Sequence, residues 1–153
     1  MSAATDTEAA KAMASSGQLA TFRLDGDLYG VEVEHVQEVL RSQGLTRVPL
    51  APTAVAGLIN LRGQVVTAIE LRERLGRPPR PEGTDAVVIV VRLHGEAVSL
   101  LVDSIADVVD VDAADFEAPP DTLEGQARDL IRGAYKLDGK LLLALDVHKA
   151  VGA

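Results

Sequence analysis

Along most of this chain apolar and polar positions alternate with the two-residue period of half-buried strands, and glycine-containing turns interrupt the alternation at short intervals. Gln18 to Leu24 reads as a strand, Asp25-Gly26-Asp27 supplies turn chemistry, and Leu28-Tyr29-Gly30-Val31 returns, which makes a hairpin. In Gly57-Leu58-Ile59-Asn60-Leu61-Arg62-Gly63, Ile59 and Leu61 can share a buried face while Asn60 and Arg62 point away from it. Gly63 permits the positive φ of a tight turn, and Gln64 to Ile69 comes back as a second apolar run. Ala86 to Leu93 is β-branched and nearly continuous, as a strand covered on both faces should be; His94-Gly95 turns it into Ala97 to Val102. Ile131 to Leu137, the turn Asp138-Gly139, and Lys140 to Leu145 form a further hairpin.

Other stretches follow different periods. Glu34 to Leu40 places Val36, Val39 and Leu40 at helical spacing with Gly44 as a stop signal, so a helix of about two turns is expected there. Leu71 to Leu75 suits a short helical turn, and Asp146 suits the N-cap of a terminal helix through Val151. Ile105 to Val111 fits either period; its valine content favours a strand. Pro49 and Pro52 mark an extended connection, Pro119 and Pro120 begin a loop, and the run from Gly76 to Gly83 predicts a flexible loop near 76–85. Many short strands with brief turns define an all-β class with minor helices, arranged as one or two small barrels. No internal repeat of fixed period is present.

Composition narrows the chemistry. The 153 residues suit one domain or two small packed ones, and with 47% hydrophobic but only 3% aromatic residues the core must be built from Val, Leu, Ile and Ala. Residues 1–17, rich in Ala, Ser and Thr without a basic start or an apolar centre, read as a disordered leader, with order from 18 to 153. No apolar run reaches the ~20 residues of a spanning helix, so no direct membrane insertion is expected. A net charge of −8 without clustered Lys and Arg argues against nucleic acid and anionic membranes. There is no cysteine, hence no disulfide, thiolate metal site or thiol nucleophile, and a cytoplasmic location fits.

The sequence shows no recognisable catalytic pattern. His35, His94 and His148 are isolated in sequence, a spacing that suits surface or turn roles and not a metal site. The series Asp103, Asp107, Asp110, Asp112 and Asp115 lacks the glycine and terminal glutamate of a calcium loop and reads as a solvated face. Ser42, Ser99 and Ser104 lie in no nucleophile elbow, while Glu70, Glu73 and Asp146 offer carboxylates with no partner pattern. Neither an enzyme nor a cofactor is expected. Arg62, beside a rigid turn with five fixed donors, is the sharpest candidate: a solvated charge or a recognition residue.

The segment Val48-Pro49-Leu50-Ala51-Pro52 leading to Gly57-Leu58-Ile59-Asn60-Leu61-Arg62-Gly63, preceded by Tyr29-Gly30-Val31 and Val36-Gln37-Glu38-Val39, resembles the CheW family of chemotaxis coupling proteins. The likeness continues through Val87-Val88-Ile89-Val90, Leu101-Val102-Asp103 and Leu141 to Asp146, and so covers the chain from Gln18 onward. It implies two small five-stranded SH3-like β-barrels packed over a shared aliphatic core, without a catalytic centre. It further implies a scaffold joining the regulatory domain of the CheA histidine kinase to the cytoplasmic tip of methyl-accepting chemoreceptors, in arrays at the inner membrane. By resemblance the receptor-facing groove falls on Val36, Glu38, Gly57, Asn60, Arg62, Val87, Ile105 and Val108. A kinase-facing loop falls on Phe116, Glu117, Pro119 and Pro120. Thr67-Ala68-Ile69-Glu70 and Ala118-Pro119-Pro120 depart from the usual family pattern. A CheW-like module of another chemosensory pathway, governing surface motility or gene expression, would share this signature. A small ligand-binding barrel is the third reading.

Overall fold

A computed structural model describes residues 17–41, 45–46, 49, 54–123 and 125–151. The expected leader lies outside these residues except for Gly17, as do Ser42, Gly44 and the connection through Val48, Leu50, Ala51 and Pro52.

Two six-stranded sheets make up the described chain. The first contains β1 (Gly17–Leu24), β2 (Asp27–Glu32), β9 (Ser104–Val111), β10 (Phe116–Glu117), β11 (Ile131–Leu137) and β12 (Lys140–Leu145), in the order β10-β11-β12-β2-β1-β9. The second contains β3 (Val36–Arg41), β4 (Leu45–Thr46), β5 (Val55–Leu61), β6 (Gln64–Glu70), β7 (Val87–Leu93) and β8 (Glu96–Val102), in the order β3-β7-β8-β6-β5-β4. Three short helices, α1 (Leu71–Arg74), α2 (Gly125–Leu130) and α3 (Val147–Val151), complete it. The all-β expectation with minor helices holds. Each half has six strands where five were expected, the extra one being the two-residue β4 or β10, and the sheets are curled without closing.

Both sheets follow one plan, two antiparallel hairpins joined edge to edge by a parallel pair: β12 beside β2 in the first, β6 beside β8 in the second. The sequence marks the hairpins because each closes on two residues ending in glycine. Asp25-Gly26 (φ 52° and 87°), Arg62-Gly63 (50° and 84°) and His94-Gly95 (50° and 83°) are left-handed at both positions, the geometry that matches strand twist. The strands of the second sheet follow one another along the chain, whereas the first sheet is assembled from strands on both sides of them in the described residues. The backbone therefore crosses between sheets twice, at the 3-10 turn Val33–His35 and at Asp103.

Alternation along the strands sorts the side chains into three cores. Phe22, Leu24, Tyr29, Val31, Leu143 and Leu145 of the first sheet meet Ile69, Ile89, Val91, Leu100 and Val102 of the second in a large shared core. Their opposite faces fill two smaller ones: Leu19, Leu28, Phe116, Tyr135, Leu142 and Ala144 in the first sheet, Ile59, Ala68, Val88, Val90 and Leu101 in the second. This is why β7 reads as a continuous apolar run. Its odd positions face the shared core and its even positions the small one.

Two expectations change. Residues 34–40 form the end of a 3-10 turn and then strand β3, not a helix. Val36 pairs with Val91 and Glu38 with Val90, so a bulge adds one residue to β3. Val36 and Val39, which pairs with Ile89, then share the side facing the shared core, while Glu38 and Leu40 take the other; the bulge counterfeits a helical spacing. Likewise Phe22 pairs with Ile105 and Ala20 with Val108, so the extra residue in β9 brings Ile105 and Val108, three positions apart, to one face. The second change concerns the loop after α1. It is held by ion pairs instead of hanging free.

Candidate recognition surface

Arg62 occupies the first position of the β5–β6 turn at φ 50°, where an L side chain costs about 1–2 kcal/mol and Gly or Asn would fit better. Its side chain is 79% exposed, and its Nη1 lies 2.9 Å from Oε2 of Glu38, itself only 18% exposed. Asn60 Oδ1 accepts the backbone N–H of Gly63 at 3.0 Å and so braces the turn from below. Gly57 directly follows a register shift in the β5–β6 pair. Because β3 begins the strand order of its sheet and β5 lies near the other end, the Glu38–Arg62 pair ties the two margins of the curled sheet together. Glu38, Asn60 and Arg62 are thus brought into one structural unit.

The apolar candidates are divided between the two sheets. Val36 and Val87 are half-buried against the shared core. On the first sheet, Ile105 and Val108 project on the face of β9 turned toward the same core, as their pairing with Phe22 and Ala20 requires, yet they are 41% and 56% exposed. Val39 joins them at 44% exposure from edge strand β3. The sequence spacing suits a helix at Val39; only the bulge in β3 shows which side of the sheet it faces. Each at an edge of its own sheet, β3 and β9 therefore carry exposed aliphatic residues on the sides that their pairings turn toward the shared core.

The suggested second surface is altered by burial. Phe116 is 2% exposed and packs edge-on against Tyr135, with ring centroids 5.0 Å apart, so it is a core residue and offers no contact surface. Glu117 is exposed and lies 3.3 Å from Nζ of Lys136, while Pro119 and Pro120 are half-buried.

A charged cluster unforeseen in the sequence holds the second crossing. Asp103 accepts two hydrogen bonds from Arg72, Nε at 2.9 Å and Nη2 at 2.6 Å, another from the backbone N–H of Asp25 at 2.8 Å, and one from Nε of Arg80 at 3.2 Å. Arg80 also forks onto Glu70 at 2.9 and 3.2 Å, and Arg72 Nη1 donates to the Pro78 carbonyl at 2.8 Å. Arg77 donates to Asp27 and, at 3.2 Å, to the Tyr29 hydroxyl. Burial alone would raise the Asp103 carboxyl, but the bonds from Arg72 and Asp25 and the charges of Arg72 and Arg80 outweigh it and bring it from 3.8 to about 2. Asp103 is thus a hub and not part of a solvated acidic face. Glu70 and Asp146 also have structural duties: Glu70 caps α1, and Asp146 accepts the Lys149 N–H at 3.1 Å. Among the described residues no three metal-binding side chains stand ready to ligate one ion.

The architecture and this surface define a class first: a β scaffold of two curled sheets sharing one core. The crystal structure of scaffolding protein TtCheW from Thermoanaerobacter tengcongensis superposes with a TM-score of 0.79 at 28% identity, covering 92% of this chain and 90% of that one. Residues 18–153 match the CheW-like domain, and the chain belongs to that family. Similar relatives are the chemotaxis protein CheW of Rhizobium meliloti, 30% identical over 142 residues and 92% of each chain, and that of Treponema pallidum, 30% identical over 136 residues, 86% of this chain and 80% of the relative. No helix among the described residues is long and apolar enough to cross a membrane.

Proposed function

We propose that this chain is a non-catalytic chemotaxis adaptor that joins the cytoplasmic tips of chemoreceptors to the regulatory domain of a CheA-type histidine kinase, in the cytoplasm at receptor arrays. The observation that carries this reading is Arg62. It is kept at a backbone position unfavourable to it, exposed, and oriented by Glu38 instead of solvated at random. A receptor tip is a helical hairpin, and docking one requires apolar walls with a few oriented polar groups to fix register. Val36, Val39 and Val87 would form one wall, Ile105 and Val108 the other, and Arg62 would fork onto a carboxylate or a helix C-terminal carbonyl. Glu117, Pro119 and Pro120 would face the kinase.

The test is Arg62→Asn, which suits a left-handed turn. Receptor affinity, measured with a purified cytoplasmic receptor fragment, is expected to fall by about 1.5–3 kcal/mol, the range for a charge-assisted pair at an interface. Thermal stability should change little, because an exposed pair contributes only about 0.2–1 kcal/mol and the better turn residue offsets its loss. A large fall in melting temperature with unchanged binding would make Arg62 structural and remove this reading of it. If wild-type protein retained neither a histidine kinase nor a receptor from native cells, the adaptor role itself would fail.

A further inference from the structure

Each of the two sheets has two margins, and proteins blunt such margins because their unpaired backbone groups invite another strand. Three of the four are blunted here: β4 and β10 are two residues long, and β3 is bulged with its Glu38 tied to Arg62 across its own sheet. The fourth is different. β9 is eight residues long, pairs on one side with β1, and has no strand on its other side among the described residues. It contains neither proline nor a basic residue, and it exposes Ile105, Asp107, Val108 and Asp110. We propose that the free edge of β9 takes up an extended segment of a partner protein in which aliphatic and basic residues alternate, adding a further strand to the first sheet.

In strand addition the main chain supplies affinity and the side chains beside it supply specificity. The backbone of β9 is already set for this, since Thr21 Oγ1 donates to the Asp107 carbonyl and fixes the bulge from the β1 side. That bulge puts Ile105 and Val108 on one face, where aliphatic neighbours on an added strand would cover them. Charge selects the occupant. Asp103 is taken up by Arg72 and Arg80, whereas Asp107 and Asp110 form no ion pair among the described residues. A second copy of this chain is a poor occupant, because antiparallel pairing about Val108 and Val109 would set each Asp107 against the other copy's Asp110, and like charges directly opposite are destabilising. The net charge of −8 adds to that repulsion. Lysine or arginine at those positions of the incoming strand reverses the sign of both pairs.

Ile105 and Val108 also belong to the receptor wall proposed above. An added strand would cover them, so on that reading the two partners exclude one another; the strand site itself does not rest on it.

The experiment titrates the full chain, isotopically labelled for backbone NMR, with a capped peptide of alternating valine and lysine as long as β9, and with the same peptide carrying glutamate for lysine. The lysine peptide is expected to shift the amides of β9 and slow their hydrogen exchange, and to bind about tenfold more tightly than the glutamate peptide, as two cross-strand charge pairs of reversed sign require. Raising salt from about 50 to 500 mM should weaken its binding several-fold. Asp107→Asn combined with Asp110→Asn should lower its affinity about tenfold and remove most of that salt dependence, with the melting temperature within about 2 °C of wild type. Unchanged exchange in β9 at millimolar lysine peptide would overturn the proposal, as would equal affinity for the two peptides or a shift map centred away from β9. Dimerisation of the chain through β9 without peptide would assign the edge to a second copy and overturn it as well.

Discussion

Single residues in this protein carry unequal burdens that their type alone does not reveal. Arg62 and Arg72 are both paired with a carboxylate, yet Arg62 is 79% exposed and Arg72 only 8%. The first pair is cheap to lose and free to exchange partners; the second is expensive to break, because its removal strands a buried charge. Asp103 shows the same logic through pH. Its carboxyl is near 2 in the folded protein against 3.8 otherwise, so the stability it adds is fully present above pH 4 and disappears as pH falls through 2. Denaturant melts of wild type between pH 5 and 2 should show this loss. Asp103→Asn should flatten that part of the profile and cost about 2 kcal/mol at neutral pH, the size that a lowering from 3.8 to about 2 implies.

At the scale of elements, turns and bulges decide which face each side chain takes. Every two-residue turn was visible in the sequence because glycine closes it, whereas the bulges in β3 and β9 were not, since no residue type is obligatory there. A one-residue insertion inverts the faces that follow it, which is how Val39 passed from an expected helix to an exposed position on a strand. Close packing adds a second hidden constraint at β10 and β11. A Cβ on Gly133 would overlap Cζ of Phe116 and the Glu117 carbonyl oxygen, so Gly133→Ala must displace β10. We expect a loss of about 1–3 kcal/mol in chemical denaturation, with faster hydrogen exchange at Phe116 and Tyr135.

For the whole molecule the controlling feature is the core that both sheets share. Neither sheet can lose that face without exposing the other's, so the two should unfold as one unit despite having small cores of their own. Ile89→Ala is expected to cost about 2–5 kcal/mol and to speed hydrogen exchange in both sheets together. Exchange quickened only in β3 to β8 would show the halves to be independent. Val39, Ile105 and Val108 remain exposed on the edge strands β3 and β9 of the two sheets.

The sequence by itself determined the all-β class, the hairpins and their turns, the doubly covered β7, the terminal helix cap and the family likeness, because these depend on neighbours within a few residues or on motifs read in order. It also singled out Glu38 and Arg62, and the structure places them 2.9 Å apart. Only the tertiary structure decided the bulged registers, the burial of Phe116, the Arg72–Asp103–Arg80 hub and the contacts of His148 with His35 and His94. Each of these joins residues distant along the chain: Arg72 is 31 positions from Asp103, and His35 and His148 lie on elements near opposite ends of the described residues. Local periodicity carries no information about such pairs. They exist because the chain crosses between two sheets and brings segments from near both ends of the described residues into the first.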